Sequence, residues 1–305
     1  MRSEVDAAND REILDRRTLV EMGIHLPIQL SSLNFQTGRH PLGLAGDGLR
    51  FLRTRPYEPG QDNPRDIDKF SPRGEYWVNE WETERQASIL LLVDSSASME
   101  FEPRAPLRQL TVLQITYSLW RANDRVIANF FHRDANCWIR ERNLRRQMEC
   151  LAGQLRNVGG HRARDPLAVL ETLSSRTSKH RPDLVFLLSD FGPGEREMDD
   201  RSDLFAWRAV IRQVSCDIIP VIVSFELPIS RVGSIRFWDA ERHSHRMTLL
   251  TPSRLRRLNE EERARVEGIC LKFRQVGLDS LVARKESDVF AGLSKLARWR
   301  RKTRS

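Results

Sequence analysis

Short apolar runs alternate with longer amphipathic stretches through the central part of the chain. Residues 89–93 read Ile-Leu-Leu-Leu-Val, and runs of strand length follow at 126–131, 184–188 and 217–224. Strands that are apolar throughout are typical of a parallel sheet that is buried on both faces. The alternation of such runs with helical periodicity predicts an α/β fold, in which a mainly parallel sheet carries helices on both faces.

The stretches between these runs have apolar residues at helical spacing. In the first of them, Leu110, Leu113 and Leu119 belong to one apolar face,. Pro166 stands at the start of another, in a position that proline favours,. Helices are therefore predicted at 107–122, 141–157, 166–175, 203–214, 252–275 and 287–299, with a hairpin at 234–239 and 246–250 and a last strand at 278–283.

The beginning of the chain follows a different pattern. Residues 1–35 have the apolar spacing of a short amphipathic helix, whereas residues 36–85 are rich in Gly, Pro, Arg and Asp. The second composition predicts turns, loops and short strands. We therefore expect an irregular N-terminal region at residues 1–85, the α/β domain at residues 86–300 and a basic tail at residues 301–305.

Polar side chains follow two of the predicted strands at the point where each strand ends. Asp94, Ser96 and Ser98 come directly after the first strand, and Asp190 follows the strand at 184–188. Because ligands of open parallel sheets collect at the carboxyl ends of strands, we expect Asp94 and Asp190 to meet there. Carboxylate and hydroxyl oxygens suit Mg²⁺ or another divalent cation. In the alternative interpretation, these residues only cap the strand end and the helix that follows.

A second block of charged residues precedes the first of these strands. The stretch from residue 53 to residue 68 reads RTRPYEPGQDNPRDID, with cations and carboxylates at close spacing. Two interpretations stay open, a surface that recognises a partner and an ion-pair network that fixes the loop at 50–70. The residues that carry either role are Arg53, Arg55, Tyr57, Asp62, Arg65 and Asp68.

Taken together, this block and the Asp-x-Ser-x-Ser-Met sequence at 94–99 resemble the DUF58 family. Its members are von Willebrand factor A-like proteins, usually encoded beside MoxR-type AAA+ ATPases. The resemblance covers roughly residues 30–295 and implies a von Willebrand A-like, Rossmann-like fold. The Asp-x-Ser-x-Ser pattern is similar to the metal-ion-dependent adhesion site of that fold. The resemblance therefore implies a divalent cation held by Asp94, Ser96, Ser98 and Asp190, with an open position for a carboxylate of a partner protein.

The resemblance also implies a function. It suggests a non-enzymatic cytoplasmic adaptor that works with a MoxR-type AAA+ ATPase in the assembly or maturation of a client complex. In one branch of the family, this client is methanol dehydrogenase.

The chain departs from the family pattern at the third element of the metal site. Where the family has a threonine in a Gly-Gly-Thr-Asp-like loop, residues 159–167 read GGHRARDPL, and Arg164 takes the threonine position. An arginine does not ligate a cation, but its guanidinium pairs well with a carboxylate. We therefore expect that Arg164 either pairs with Asp94 or Asp190 in place of a metal or lies outside the site.

Composition excludes several function classes. The chain has 305 residues, 30% of them charged, and a net charge of +8, a balance typical of a soluble globular protein,. It has neither the phosphate-binding loop of an ATPase nor the sequence patterns of zinc proteases and serine hydrolases. No apolar run approaches the ~20 residues that span a bilayer. We expect no enzymatic activity and no nucleic-acid partner. The basic surface leaves a peripheral membrane-associated interaction module as the alternative function.

Overall fold

The computed structural model describes residues 37–302, apart from 47–49, 61, 63, 65–66, 72–74, 86, 101–103, 133–135, 157–163, 175–181, 193–200, 215, 229–232 and 240–243. The chain divides into two compact units, one formed by Leu33–Ala87 and one that contains Ser88–Ser305. The helix predicted within residues 1–35 lies outside the described residues.

The smaller unit contains a three-stranded antiparallel sheet. Its strands are β1 (Thr37–Gly46), β2 (Arg50–Pro56) and β3 (Trp77–Arg85), in the order β1-β3-β2. With ten residues in β1 and nine in β3, they are longer than the short strands that the sequence predicted. The glycines and Pro41 of β1 suggested loops, but β1 is an edge strand with register shifts. An edge strand tolerates a proline because one side of it needs no ladder hydrogen bonds.

In the larger unit, strands and helices alternate along the chain. The elements are β4 (Ser88–Asp94), a 3-10 turn (Ala97–Glu100), α1 (Ala105–Arg121), β5 (Arg125–Phe131), β6 (Asn136–Ile139), α2 (Leu144–Arg156), α3 (Pro166–Ser174), β7 (Leu184–Ser189), α4 (Arg201–Val214), β8 (Asp217–Val223), β9 (Gly233–Asp239), β10 (Ser244–Leu250), α5 (Pro252–Gln275), β11 (Leu281–Ala283) and α6 (Glu286–Lys302).

Six of these strands form one sheet in the order β11-β8-β7-β4-β5-β6. All neighbours are parallel except β5 and β6, which are antiparallel. The chain order reverses at β4, since β5 lies on one side of it and β7 on the other. The carboxyl ends of β4 and β7 therefore flank the switch point, where ligands of such sheets bind. The mainly parallel α/β sheet of the von Willebrand A-like prediction is confirmed.

Both faces of this sheet are covered. On one face, Leu92 of β4 and Leu187 of β7 belong to a core with Leu170 of α3, Trp207 of α4 and Phe273 of α5. Successive strand residues point to opposite faces, and the intervening residues of β4 and β7 are buried as well,. Outside this core, α1 contacts β5, α2 and α6. This double burial explains the uninterrupted apolar runs in the sequence.

Most predicted elements are present, and the differences lie at the edges. β6 was not predicted, because it is a four-residue edge strand that starts with a polar residue. β11 begins at Leu281 rather than at residue 278, and α6 continues to Lys302, past the predicted end at residue 299. The predicted hairpin is present as the pair β9 and β10. Among the helices that the structure describes, none has the length and apolarity that a membrane crossing requires.

The contact between α6 and β11 leads to a prediction about two helical glycines. A Cβ at Gly292 in α6 would lie 2.9 Å from Leu281 Cδ1, whereas a Cβ at Gly268 in α5 would have nothing within 4 Å. We expect Gly268→Ala to raise the free energy of unfolding by about 0.5–1 kcal/mol, because alanine favours the helix. In Gly292→Ala, overpacking of about 1–3 kcal/mol should cancel or reverse that gain. Urea unfolding of both variants checks this, and equal gains would contradict the close packing of α6 on β11.

Candidate functional site

The switch point of the sheet brings Asp94 and Asp190 to neighbouring strand ends. Asp94 is the last residue of β4, and Asp190 directly follows β7. Both residues are buried. The Ser189 hydroxyl joins the two strands, because it donates to Asp94 Oδ2 at 2.7 Å and accepts from the Phe191 N–H at 3.1 Å. Two of the predicted site residues thus lie at one edge of the sheet.

The turn after β4 holds three oxygen-bearing side chains side by side. The Ser96 N–H donates to Asp94 Oδ1 at 2.8 Å, and the Ser95 N–H donates to the Phe131 carbonyl at 2.9 Å. The hydroxyl oxygens of Ser96 and Ser98 are 3.1 Å apart. The contact from the Ser96 N–H is of the kind that the capping interpretation expects, whereas the hydroxyl pair is what the metal interpretation needs. The turn therefore satisfies both.

Arg104 is the residue that contacts Asp190. It directly precedes α1, and its side chain is only 10% exposed. Its Nη1 donates to Asp190 Oδ2 at 2.5 Å and to the Ser98 carbonyl at 3.2 Å. The guanidinium also lies over the Phe225 ring, with 4.9 Å between Cζ and the ring centroid. Arg104 thus contacts two of the four predicted ligand residues and neutralises one of them.

The sequence offered Arg164 as one candidate for this role, with a place outside the site as the alternative, and in the structure a different arginine pairs with Asp190. Arg164 lies just before α3 and contacts Asn136 Oδ1 of the edge strand β6 at 3.5 Å. Asp190 pairs instead with Arg104, which is 86 positions away in the sequence. Such a pairing depends on where α1 begins relative to β7, and no local sequence pattern shows that.

A second buried carboxylate extends this network to α5. Glu262 accepts from Arg265 Nε at 2.7 Å and from the Ser224 hydroxyl at 2.7 Å, and its Oε1 is 3.6 Å from Arg104 Nη2. Arg265 Nη1 donates to the carbonyl of Asp190 at 2.8 Å. The carboxyl ends of β7 and β8 are therefore tied to α5 through charged side chains.

Asp94 and Glu262, two carboxylates of this edge, have pKa values that are shifted in opposite directions. Burial, together with the negative charge of Asp190, raises the pKa of Asp94 from 3.8 to about 6,. Burial also acts to raise the pKa of Glu262, but the hydrogen bonds and charge of Arg265 outweigh it and lower that pKa below its usual value. Glu262 therefore has its charge compensated by a hydrogen-bonded arginine. The hydrogen bonds that Asp94 accepts within the described part of the chain come from neutral donors, and Arg108 acts on it through its charge alone.

Three of the four predicted ligands fit a hard divalent cation. Adjacent oxygens of an octahedral Mg²⁺ site lie about 3.0 Å apart, and the hydroxyls of Ser96 and Ser98 have that separation,. Asp94 adds a buried carboxylate to which, among the described residues, no cationic side chain donates a hydrogen bond. Asp190 differs because Arg104 already binds it. In the described part of the chain, no group of three or more His, Cys, Asp or Glu residues suits a metal. A cation at this edge would therefore depend on the serine hydroxyls.

The charged block before β3 lies in the smaller unit and contains a bidentate ion pair. Arg55 donates to Asp62 through Nη1 at 2.8 Å and through Nη2 at 2.5 Å, and the Glu58 N–H donates to Asp62 Oδ2 at 2.9 Å. The hydrogen bond from Arg55 lowers the pKa of Asp62 below its usual value. These contacts agree with the ion-pair interpretation of the block.

The other described members of the block make contacts with nearby residues or are exposed. Asp68 Oδ1 accepts from the Phe70 N–H at 3.1 Å, which closes a turn, and Tyr57 packs edge-on against Tyr76. Arg53 lies in β2 and is exposed, while Arg65 falls outside the described residues. Recognition of a partner by this block stays a prediction.

Sequence reasoning missed several members of the charge network, and for one of them a signal existed. The buried positions of α5 are Leu255, Asn259, Glu262, Val266, Ile269 and Phe273, a spacing of three and four residues. Two polar residues on this otherwise apolar stripe mark a place where the helix meets polar groups rather than core. Asn259 indeed exchanges two hydrogen bonds, both 2.9 Å, with the backbone of Leu227. Arg104 has no comparable signal, because a basic residue before a helix is common on protein surfaces.

A comparison with family models gives one match. The family described as "Protein of unknown function DUF58" matches residues 53–267, which is most of the chain. A comparison with curated proteins gives no match.

Several solved structures are similar to the chain. They include an aerotolerance-related membrane protein from Bacteroides fragilis (TM-score 0.43, 12% identity, 68% of this chain and 99% of that one). The pilus adhesin SpaC from Lactobacillus rhamnosus GG gives a TM-score of 0.41 at 14% identity, over 70% of this chain and 30% of that one. The PilB minor pilin from Streptococcus sanguinis gives 0.42 at 11% identity, over 77% and 67%. At these scores and identities, no property of those proteins transfers to this chain.

The raised pKa of Asp94 predicts a pH dependence of stability. Because the folded pKa of about 6 lies above the unfolded value of 3.8, the contribution of Asp94 to the wild-type free energy of unfolding should fall as pH rises from about 4 to about 6,. Asp94→Asn keeps the shape of the side chain and removes this loss. In chelator, we expect the variant to be more stable than wild type near pH 7, by up to about 3 kcal/mol, and the difference to shrink toward pH 4.

Urea unfolding at several pH values measures this difference. Glu149→Gln is a matched control, because Glu149 is exposed and its removal should leave the pH profile unchanged,. A constant difference between Asp94→Asn and wild type across this pH range would contradict the uncompensated burial of Asp94.

Proposed function

The chain belongs to the DUF58 family, and from that premise we propose that it is a non-enzymatic cytoplasmic adaptor that works with a MoxR-type AAA+ ATPase. Its task would be the assembly or maturation of a client protein complex, with methanol dehydrogenase as the candidate client. The observation that supports this proposal most is the oxygen cluster of Asp94, Ser96 and Ser98 at the switch point of the sheet.

The cluster suits binding better than catalysis. A hydrolase needs a nucleophile that is accessible and hydrogen-bonded to a base. Ser96 is fully buried and its hydroxyl pairs with that of Ser98, while the buried Ser189 hydroxyl bridges two strands. Ser98 is the partly exposed member of the cluster. A divalent cation bound here would supply an open coordination position, and a carboxylate of the partner would approach from the Ser98 side.

Capture of a MoxR-type ATPase by the purified chain tests the proposal. We expect capture in Mg²⁺ that is lost in chelator and lost in Asp94→Asn, because that substitution removes the charged ligand and preserves the fold. Glu149→Gln makes the same chemical change at an exposed position and should capture as wild type does.

The outcomes separate the parts of the proposal. Capture that survives both chelator and Asp94→Asn would move the contact to another surface and contradict the role of the cluster. A lack of capture in every nucleotide state of the ATPase would contradict the adaptor function itself.

A second candidate function is peripheral membrane association, and one surface favours it. Trp138 of β6 is 45% exposed, and the segment that leads from it into α2 carries exposed arginines. An exposed tryptophan beside clustered arginines is typical of surfaces that bind anionic lipid. These arginines are Arg140, Arg142, Arg145 and Arg146.

Sedimentation with phosphatidylserine-containing vesicles tests this second function. We expect binding at low salt that weakens as salt rises, and a loss of about tenfold or more when the four arginines become glutamine. Four exposed arginines of α5 offer a control with the same change of charge, and they are Arg254, Arg256, Arg257 and Arg263. No binding at low salt, or an equal loss in both variants, would contradict a membrane role for this surface.

A further inference from the structure

Arg104 is a buried cation with partners on two sides. On one side, its Nη1 contacts Asp190 Oδ2 at 2.5 Å and the Ser98 carbonyl at 3.2 Å. On the other side, its Nη2 is 3.6 Å from Glu262 Oε1, and its guanidinium lies over Phe225. Its Nε is buried without a hydrogen-bond acceptor among the described residues. The side chain therefore has a strong contact with Asp190 in the site and a weaker contact with Glu262 beyond it. Its Nε–H remains available for a further hydrogen bond.

The contact between Arg104 and Asp190 opposes the binding of a divalent cation. Asp190 is the carboxylate next to Asp94, and a guanidinium that binds Asp190 neutralises the charge that would attract the ion. The same guanidinium touches the backbone of Ser98, one of the proposed ligand residues. Its positive charge therefore lies beside the residues proposed to bind the cation, where like charges repel.

The weaker contact offers Arg104 a position away from Asp190. Glu262 is already held in place by Arg265 at 2.7 Å and by the Ser224 hydroxyl at 2.7 Å. A guanidinium that moves from Asp190 toward Glu262 therefore meets an ordered carboxylate. Asp190 keeps a partner because the divalent ion replaces the guanidinium there, so no buried charge is left unpaired. This matters because an unpaired buried charge is strongly destabilising.

We propose that Arg104 is an internal cation that competes with the divalent ion for Asp190 and so determines the affinity of the site. In the closed state, Arg104 binds Asp190, as in the present structure. In the open state, the ion lies at Asp94, Ser96, Ser98 and Asp190, and Arg104 has moved toward Glu262. Because Arg104 directly precedes α1, the exchange also changes how the N-terminus of α1 is held. This inference rests on the metal site of the proposed function and adds its regulation.

Binding of Mn²⁺ to the purified full chain tests the competition, with the free ion followed by electron paramagnetic resonance. We expect Arg104→Gln to bind Mn²⁺ about tenfold or more tightly than wild type, because the variant frees Asp190 and removes a like charge. Arg257→Gln is the matched control, since Arg257 is 79% exposed and pairs with Glu261 on the surface of α5. This control loses the same charge and should bind as wild type does.

Equal affinity in wild type and Arg104→Gln would overturn the proposal, and so would an absence of Mn²⁺ binding in both. If Arg104→Gln does not fold, the wild-type chain supplies the readout. The Arg104 Nε–H resonance, assigned by its absence in Arg104→Lys, should shift when Mg²⁺ binds. An unshifted resonance while calorimetry records Mg²⁺ binding would overturn the proposal. Both readouts need no ATPase, so failure of the competition and failure of the adaptor function are distinguishable.

Discussion

Compensation of buried negative charge at the switch point is the constraint on which this edge of the molecule depends. Asp94 and Asp190 follow adjacent strands and are both buried, so their charges act on each other. A buried charge is tolerated when it is paired and hydrogen-bonded. Asp190 obtains this from Arg104, whereas the described hydrogen bonds of Asp94 come from neutral groups of Ser96 and Ser189. Arg108 acts on Asp94 through its charge, without an ion-pair contact among the described residues. The unequal compensation makes Asp94 the side of the pair that can still accept a cation.

This compensation also explains how the helices are fixed to the sheet edge. Arg104 stands before α1, Asp190 after β7 and Ser224 after β8, while Glu262 and Arg265 belong to α5. The apolar core holds the same elements through non-directional contacts, but the hydrogen bonds donated by Arg104 and Arg265 fix distances of about 2.5–2.8 Å between named atoms. Polar residues on the buried stripe of α5 are therefore part of the architecture of the site.

The parts of the fold that could be predicted from the sequence are those that local patterns describe. β4 and β7 were predictable because a strand buried on both faces is an uninterrupted apolar run,. The meeting of Asp94 and Asp190 followed from the rule for strand ends. β6 was not predictable, because a four-residue edge strand has neither a run nor a clear alternation.

An arginine–carboxylate pair at this edge was among the predictions from the sequence, but the arginine that forms it was not. The sequence left two alternatives open for Arg164, pairing with one of these carboxylates or a place outside the site. Arg104 has this role because three-dimensional packing places the start of α1 opposite the end of β7. Glu262 was similarly hidden in a helix with many charged residues, although its place on the apolar stripe distinguished it. Ion pairs between distant segments depend on the packing of whole elements, so periodicity alone does not reveal them.

The balance of charge indicates what kind of group the edge can accept. Four carboxylates lie at or near this edge, those of Asp94, Glu100, Asp190 and Glu262. Three guanidiniums oppose them, those of Arg104, Arg108 and Arg265, so one negative charge is in excess. The raised pKa of Asp94 reflects the burial of that excess beside Asp190. A divalent cation would convert it into one excess positive charge, whichever carboxylate Arg104 then contacts. A single carboxylate from a partner protein would restore neutrality, and this makes an acidic side chain the group that such an edge selects.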